Sequence, residues 1–265
     1  MILKGNKDRE ARFVGLRPAI CAGGALLFGA LFGAPLSAQE TIASDRPGLG
    51  SGSAVLGHGI IQMETGAEYA GGGRTEVYSL GQGLFRYGLL EGVEIQGLLN
   101  SLTFVRGPNR DRNGLQDMGF GVKLKLPTSQ ERLSLSFLST LLLPTGSNQI
   151  SAGEAVPNAV LLADLPLSDR VNLSGNLGFS AFLADAENQV ALIITPSVAL
   201  PSEVPMAVYG GYAGFYSDSE AVHYAEGGVT WLPSPSLQFD LNGGFELDSG
   251  SYFIGIGVAT RWRVR

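Results

Sequence analysis

The closing stretch of the chain, Tyr252 to Arg265, limits the possible folds more than any other. Read two by two, it separates Tyr252, Ile254, Ile256, Val258, Thr260, Trp262 and Val264 from Phe253, Gly255, Gly257, Ala259, Arg261, Arg263 and Arg265. A period of two is that of a β-strand, here with one greasy face and one small or polar face. In a chain that also begins with an export signal, such a strand is what a membrane barrel needs to close its sheet against its own first strand. Closure leaves no unpaired edge in lipid. The expected fold is therefore all-β: a transmembrane antiparallel up-and-down β-barrel of about twelve strands.

The first 38 residues read as a secretory signal. Lys4, Lys7, Arg9, Arg12 and Arg17 form a basic start, Ala19 to Phe32 an apolar stretch, and Leu36-Ser37-Ala38 a small-residue cleavage site before Gln39. The alternative, a retained anchor, fits less well because the apolar stretch is short and rich in Gly. Removing five basic and two acidic residues takes the formal net charge from −6 to −9, which excludes a nucleic-acid binder. The one cysteine, Cys21, leaves with the signal, so the mature chain has no thiol for a disulfide, a metal or a nucleophile. With 38 Gly and 16% charged residues the composition is unusual for a soluble domain, yet no apolar run after Gly33 reaches the roughly 18 residues of a membrane helix.

Residues 39–57 are rich in Gly, Ser and Pro and form an entry segment ahead of a barrel over residues 58–265. The motif Ser44-Asp45-Arg46-Pro47-Gly48 is open to two readings: a solvated periplasmic turn, or an arm folded into the barrel mouth as a plug, with Asp45 and Arg46 paired to wall charges. Strands are then expected from Gly59 to Tyr69, Glu76 to Tyr87 (weaker), Val93 to Phe104 and Asp117 to Leu126. Further strands follow from Leu133 to Leu143, near Asn158 to Leu165, and over Val171 to Phe182, Val190 to Leu200, Met206 to Tyr216, Val222 to Leu232 and Leu237 to Gly244. A turn centred on Leu90 would set Arg86 opposite Glu94. Lys123 and Lys125 must face the lumen, because a Lys on the lipid face costs roughly 2–4 kcal/mol near the midplane. Tight turns at Gly88, Pro127, Pro166, Pro201 and Pro233 belong to the periplasmic end; longer loops, Gly107 to Gln116 and Thr145 to Ala155, belong outside.

The inward candidates are Glu64, Glu68, Arg86, Glu94, Lys123, Lys125, Glu226, Asp240, Arg261 and Arg263. Their mixed signs would line a path for a small solute, or would pair with one another and with Arg46 and only stabilise the tube. A lipid hydrolase would need a base on a nucleophile; His223, near Ser217, Ser219 and Glu220, is better explained as an interfacial residue of an aromatic girdle, and His58 lies in the entry segment. A third class is a structural barrel working through outer loops such as Arg110-Asp111-Arg112 and Ser147-Asn148-Gln149. No motif implies a cofactor or a metal, and catalysis is not expected.

Several stretches together resemble one family: Ser44-Asp45-Arg46-Pro47-Gly48; the Gln62, Glu64, Gly66, Glu68, Tyr69 series; Phe85-Arg86-Tyr87-Gly88-Leu89 leading to Glu94; Leu143-Pro144-Thr145-Gly146; and Gln238-Phe239-Asp240. In order and spacing they are similar to the outer-membrane transporter family associated with the phenol-degradation meta pathway. The resemblance implies a barrel in the outer membrane of a Gram-negative bacterium with a transport role for small solutes, aromatic or otherwise organic. Membrane lipid and the outer-membrane assembly machinery would be its other partners. The family's name describes a genetic neighbourhood rather than a substrate. N-terminal sequencing of the protein recovered from membranes is expected to begin at Gln39; a start at Met1 would mean a retained anchor.

Overall fold

The computed structural model describes residues 41–46, 48–99, 101–108, 110–183, 187–201, 205–218 and 220–264. The signal segment with Cys21, and Pro47, Asn100 and Ser219, lie outside them. Among the described residues the strands are β1 (Ile60–Gly72), β2 (Thr75–Leu90), β3 (Val93–Leu99), β4 (Leu102–Arg106), β5 (Arg112–Leu115), β6 (Met118–Leu126) and β7 (Ser134–Leu143). They continue as β8 (Val156–Pro166), β9 (Val171–Phe182), β10 (Glu187–Ala199), β11 (Met206–Ser217), β12 (Ala221–Ser234), β13 (Leu237–Glu246) and β14 (Tyr252–Arg263). Each pairs antiparallel with its neighbours, and β14 returns to β1 from Ile60↔Arg263 to Gly71↔Tyr252, so the sheet closes. The broken pairs β3/β4 and β5/β6 each serve as one stave, which makes a twelve-stave barrel.

The expected alternation sets inside and outside as predicted. Along β6, Met118, Phe120, Val122 and Leu124 are exposed on the wall while Lys123 is fully buried; along β14, Tyr252, Ile254 and Ile256 face out while Phe253 and Ala259 are buried. A soluble protein would invert this, so the exposed band is the lipid face and the buried polar face is the lumen.

Three expectations are corrected. The stretch Val93 to Phe104 is not one strand: β3 runs along the lower part of β2 and β4 along its upper part, with a break between them. The loop Gly107 to Gln116 is shorter than expected, because β5 pairs with β4 and carries the stave upward. Arg86 is not opposite Glu94; a bulge beside the turn puts Arg86 opposite Gln96 and Gly88 opposite Glu94. Glu94 is thus a diagonal neighbour, still within reach of a long side chain. The weakness of the β2 pattern has its own cause, a bulge at Gly81, whose φ is 71°. The extra residue flips the alternation, so Arg86, Leu84 and Gln82 share the inner face with Ser79 and Val77.

The longer connection 144–155 is tied to the wall by Asp117, which accepts from the backbone N–H groups of Gly146 and Ala152 at 2.8 Å each. Both chain ends of the barrel meet at the opposite end, where Val264 donates to the Gly59 carbonyl at 2.8 Å. Placing a cation on the lipid face tests the assignment directly: Phe120→Arg is expected to cost about 2–4 kcal/mol in urea unfolding from lipid vesicles. A cost near zero would mean that Phe120 does not face lipid.

Candidate functional site

Residues 41–57 do not sit beneath the barrel; they fold up into its lumen, entering and leaving at the end where the tight turns lie. Rich in Gly and Ser, the segment lacks the apolar alternation to become a stave and offers instead a row of unpaired backbone N–H and C=O groups, which must find partners if buried. The inner wall supplies them. Ile42 enters at the turn after β12, donating to the Pro235 carbonyl at 2.8 Å. Leu49 N–H donates to Glu226 at 2.9 Å. Ser51 exchanges two bonds with Asn176, at 2.7 and 2.8 Å. Ser53 N–H donates to Asp164 at 2.6 Å and Leu56 N–H to Glu94 at 2.9 Å. The chain then leaves past Gly88, where a Cβ would overlap the Gly57 carbonyl.

The segment is anchored by a buried charge cluster. Arg86, with no exposed surface, forks onto Glu94 through Nε at 2.7 Å and Nη2 at 2.9 Å, and reaches Glu64 at 3.1 Å and Asp45 at 3.4 Å. Its remaining N–H groups donate to the Ala43 and Ala54 carbonyls, both at 3.0 Å. Lys123, equally buried, holds both Asp45 oxygens at 2.8 and 3.0 Å and the Gly52 carbonyl at 3.0 Å. Glu64 in turn accepts from the Ser44 hydroxyl at 2.7 Å and from the backbone N–H groups of Asp45 and Arg46 at 3.1 Å each. Three carboxylates and two cations buried together are tolerable only when paired and hydrogen-bonded this fully.

The Arg46 side chain lies apart from that cluster, on the wall of β1, β2, β13 and β14. It donates to Gln82 at 3.2 Å, meets Asp240 at 3.5 Å and bonds the Ile256 carbonyl at 3.3 Å. Glycine makes this possible: a Cβ on Gly66 would come within 2.6 Å of the Arg46 guanidinium carbon.

Of the residues singled out from the sequence, Asp45, Arg46, Glu64, Arg86, Glu94, Lys123, Glu226 and Asp240 all meet the segment or its anchors. Arg261 is buried at the end where the segment enters and donates to the Thr41 carbonyl at 3.0 Å. Glu68 is half-buried on the inner face of β1, and Lys125 and Arg263 are exposed near the barrel's terminal end, away from the cluster. Gln62, Gln82, Gln96, Asp164 and Asn176 are partners beyond the inward candidates named from the sequence; each sits at an inward position of its strand, and that parity is the signal that could have found them. Against this polar arc stands an apolar one, with Leu138, Val160 and Leu162 on β7 and β8 and Ile193, Ala213 and Phe215 on β10 and β11.

His223 takes its expected place among aromatic rings: its Nδ1 lies 2.6 Å from the Tyr212 hydroxyl, while Ser217 donates to the Glu220 carbonyl. Among the described residues no three His, Cys, Asp or Glu side chains stand close enough to hold a metal ion.

Solved structures with this fold include an outer-membrane channel from Pseudomonas putida F1, 13% identical with a TM-score of 0.56 over 78% of this chain and 97% of that one. The KdgM porin in complex with oligogalacturonate is 7% identical with a TM-score of 0.53, over 75% and 98%. The NanC porin is 7% identical with a TM-score of 0.52, over 75% and 98%. Likeness at such identities speaks for the fold. No curated protein matches the sequence. A family model does, across residues 44–262, from the motif at the start of the inner segment to the closing strand, and the chain accordingly belongs to the family described as "Putative MetA-pathway of phenol degradation".

Proposed function

We propose that the protein is an outer-membrane channel for small organic solutes, aromatic ones included, in which residues 41–57 act as a plug. The observation that carries this reading is the place of the segment inside the lumen, held by side chains of the wall rather than by strand pairing. A permanent filling would be expected to knit into the sheet; side-chain contacts to a short tethered segment can be exchanged one by one. The lumen also has both a charged arc and an apolar arc, which suits solutes that are neither ions nor oils. The related folds add support: the Pseudomonas putida protein is an outer-membrane channel, and KdgM and NanC are porins. On this reading the chain is exported with a cleaved signal and inserted by the assembly machinery. Asp45 and Arg46 latch the plug, and the charged residues of β1, β2, β3, β6, β12 and β13 line the route.

Breaking one partner out of a buried pair costs about 3–5 kcal/mol, so the Asp45 latch alone would hold the open form near one part in a thousand at about 4 kcal/mol. Single-channel recording from the refolded mature protein in a planar bilayer tests this. The intact protein is expected to be closed or to show small, rare steps, and both Asp45→Asn with Arg46→Gln and removal of residues 39–57 are expected to raise step frequency or size by tenfold or more. Silence from all three, with folding established by heat-modifiable mobility on gels, would overturn the channel reading in favour of a structural or loop-binding barrel.

A further inference from the structure

Charges in the lumen are not evenly matched. The bases of the wall, Arg86 and Lys123, are consumed by Asp45, Glu64 and Glu94. On β12 and β13 the inner face carries Glu226, Asp240, Asn242 and Glu246, each at least nine-tenths buried. One oxygen of each has no partner: Glu226 Oε1, Asp240 Oδ2, Asn242 Oδ1 and Glu246 Oε2. Buried acceptors left open in this way ask for a donor, and carboxylates ask for a cation.

The protein displays what such a donor looks like. Arg46 rests its guanidinium on bare glycine backbone beside Asp240, with Gly257 opposite Asp240 in the register. One step further along the same two strands the arrangement recurs: Asn242 stands opposite Gly255, and its Oδ1 would lie 2.6 Å from a Cβ there, the same distance that separates Asp240 Oδ2 from a Cβ on Gly257. Glu226 faces another glycine, Gly244, which is covered by the Phe253 ring at 2.7 Å from its would-be Cβ; the Tyr209 ring covers Gly228 in the same way at 2.6 Å. Tyr224 packs edge-on to Phe253 at 6.2 Å. Carboxylates and an amide oxygen over a glycine floor, flanked by ring faces, form the surroundings in which organic cations are held.

We propose that the inner face of β12 and β13, around Glu226, Asn242 and Glu246, binds the ammonium or guanidinium group of a small organic cation. The site deepens the channel reading and rests on it for the route by which a solute arrives. It repeats with an incoming ligand the contact that Arg46 makes with the same wall, and it assigns a preference among solutes: positively charged ends over neutral or anionic ones of equal size.

The test is calorimetric titration of the mature full chain in non-ionic detergent with phenethylammonium, 2-phenylethanol and phenylacetate, which share a ring and differ in charge. Phenethylammonium is expected to bind at least tenfold more tightly than either of the others. Glu226→Gln with Glu246→Gln is expected to lower its affinity at least tenfold; the amide keeps an acceptor for Leu49, and heat-modifiable mobility reports that the barrel is folded. Asn242→Asp is expected to raise the affinity several-fold, a gain that a merely structural residue would not produce. Equal affinity for the three probes, no binding of phenethylammonium, or indifference to both variants would overturn the proposal. Binding needs access from one mouth only, whereas conduction needs a path from end to end, so silent bilayers with intact amine binding sink only the channel reading, and conduction without amine binding sinks only this one.

Discussion

Everything inside the barrel depends on the burial of one guanidinium. Arg86 has no exposed surface, and an unpaired charge in that position would cost several kcal/mol after any relaxation. Glu94 and Glu64 neutralise it from the neighbouring staves, but its last N–H groups are satisfied only by the carbonyls of Ala43 and Ala54. The wall is therefore incomplete without the segment, and the segment has no fold without the wall. The register of β1, β2 and β3, the inward turn of Lys123 and the course of residues 41–57 are one electrostatic unit.

That unit divides the lumen. Along β1, β2, β3 and β6 polar side chains meet the segment; along β7, β8, β10 and β11 the inner face carries aliphatic groups, and Ile193 lies against Gly50. Twelve staves enclose more space than the eight that side chains can fill and less than the sixteen or more of an aqueous porin. The segment takes up the difference. Glycine at Gly66 and Gly257 lowers the wall locally, so that Arg46 can lie flat on it rather than stand off from it.

The barrel was legible because a period of two in a chain without long apolar runs has few other solutions. β6 and β14 each state their lipid face within a few residues, and the tight turns follow from Gly and Pro. What escaped the sequence is what local alternation does not encode. The bulge at Gly81 reverses the parity of β2, so its pattern looked merely weak. The bulge beside Leu90 moved Glu94 by one pair, though the Arg86–Glu94 partnership survives as a diagonal. The break between β3 and β4 depends on which part of β2 each meets. The two readings of Ser44-Asp45-Arg46 stayed open because an aperiodic stretch does not announce its surroundings; acidic and amide residues at inward positions on distant strands were the clue, visible only once parity was followed around the whole barrel.

The join between the inner segment and the wall has a further consequence. Gly57, His58 and Gly59 connect it directly to β1, so whenever it leaves its contacts it remains a tethered ligand at an effective concentration of about millimolar. The lumen then recloses without help. Anything that keeps it open by occupying the same wall must compete with that local concentration, and an occupant present at micromolar levels would have to bind about a thousandfold more tightly than the chain's own segment does.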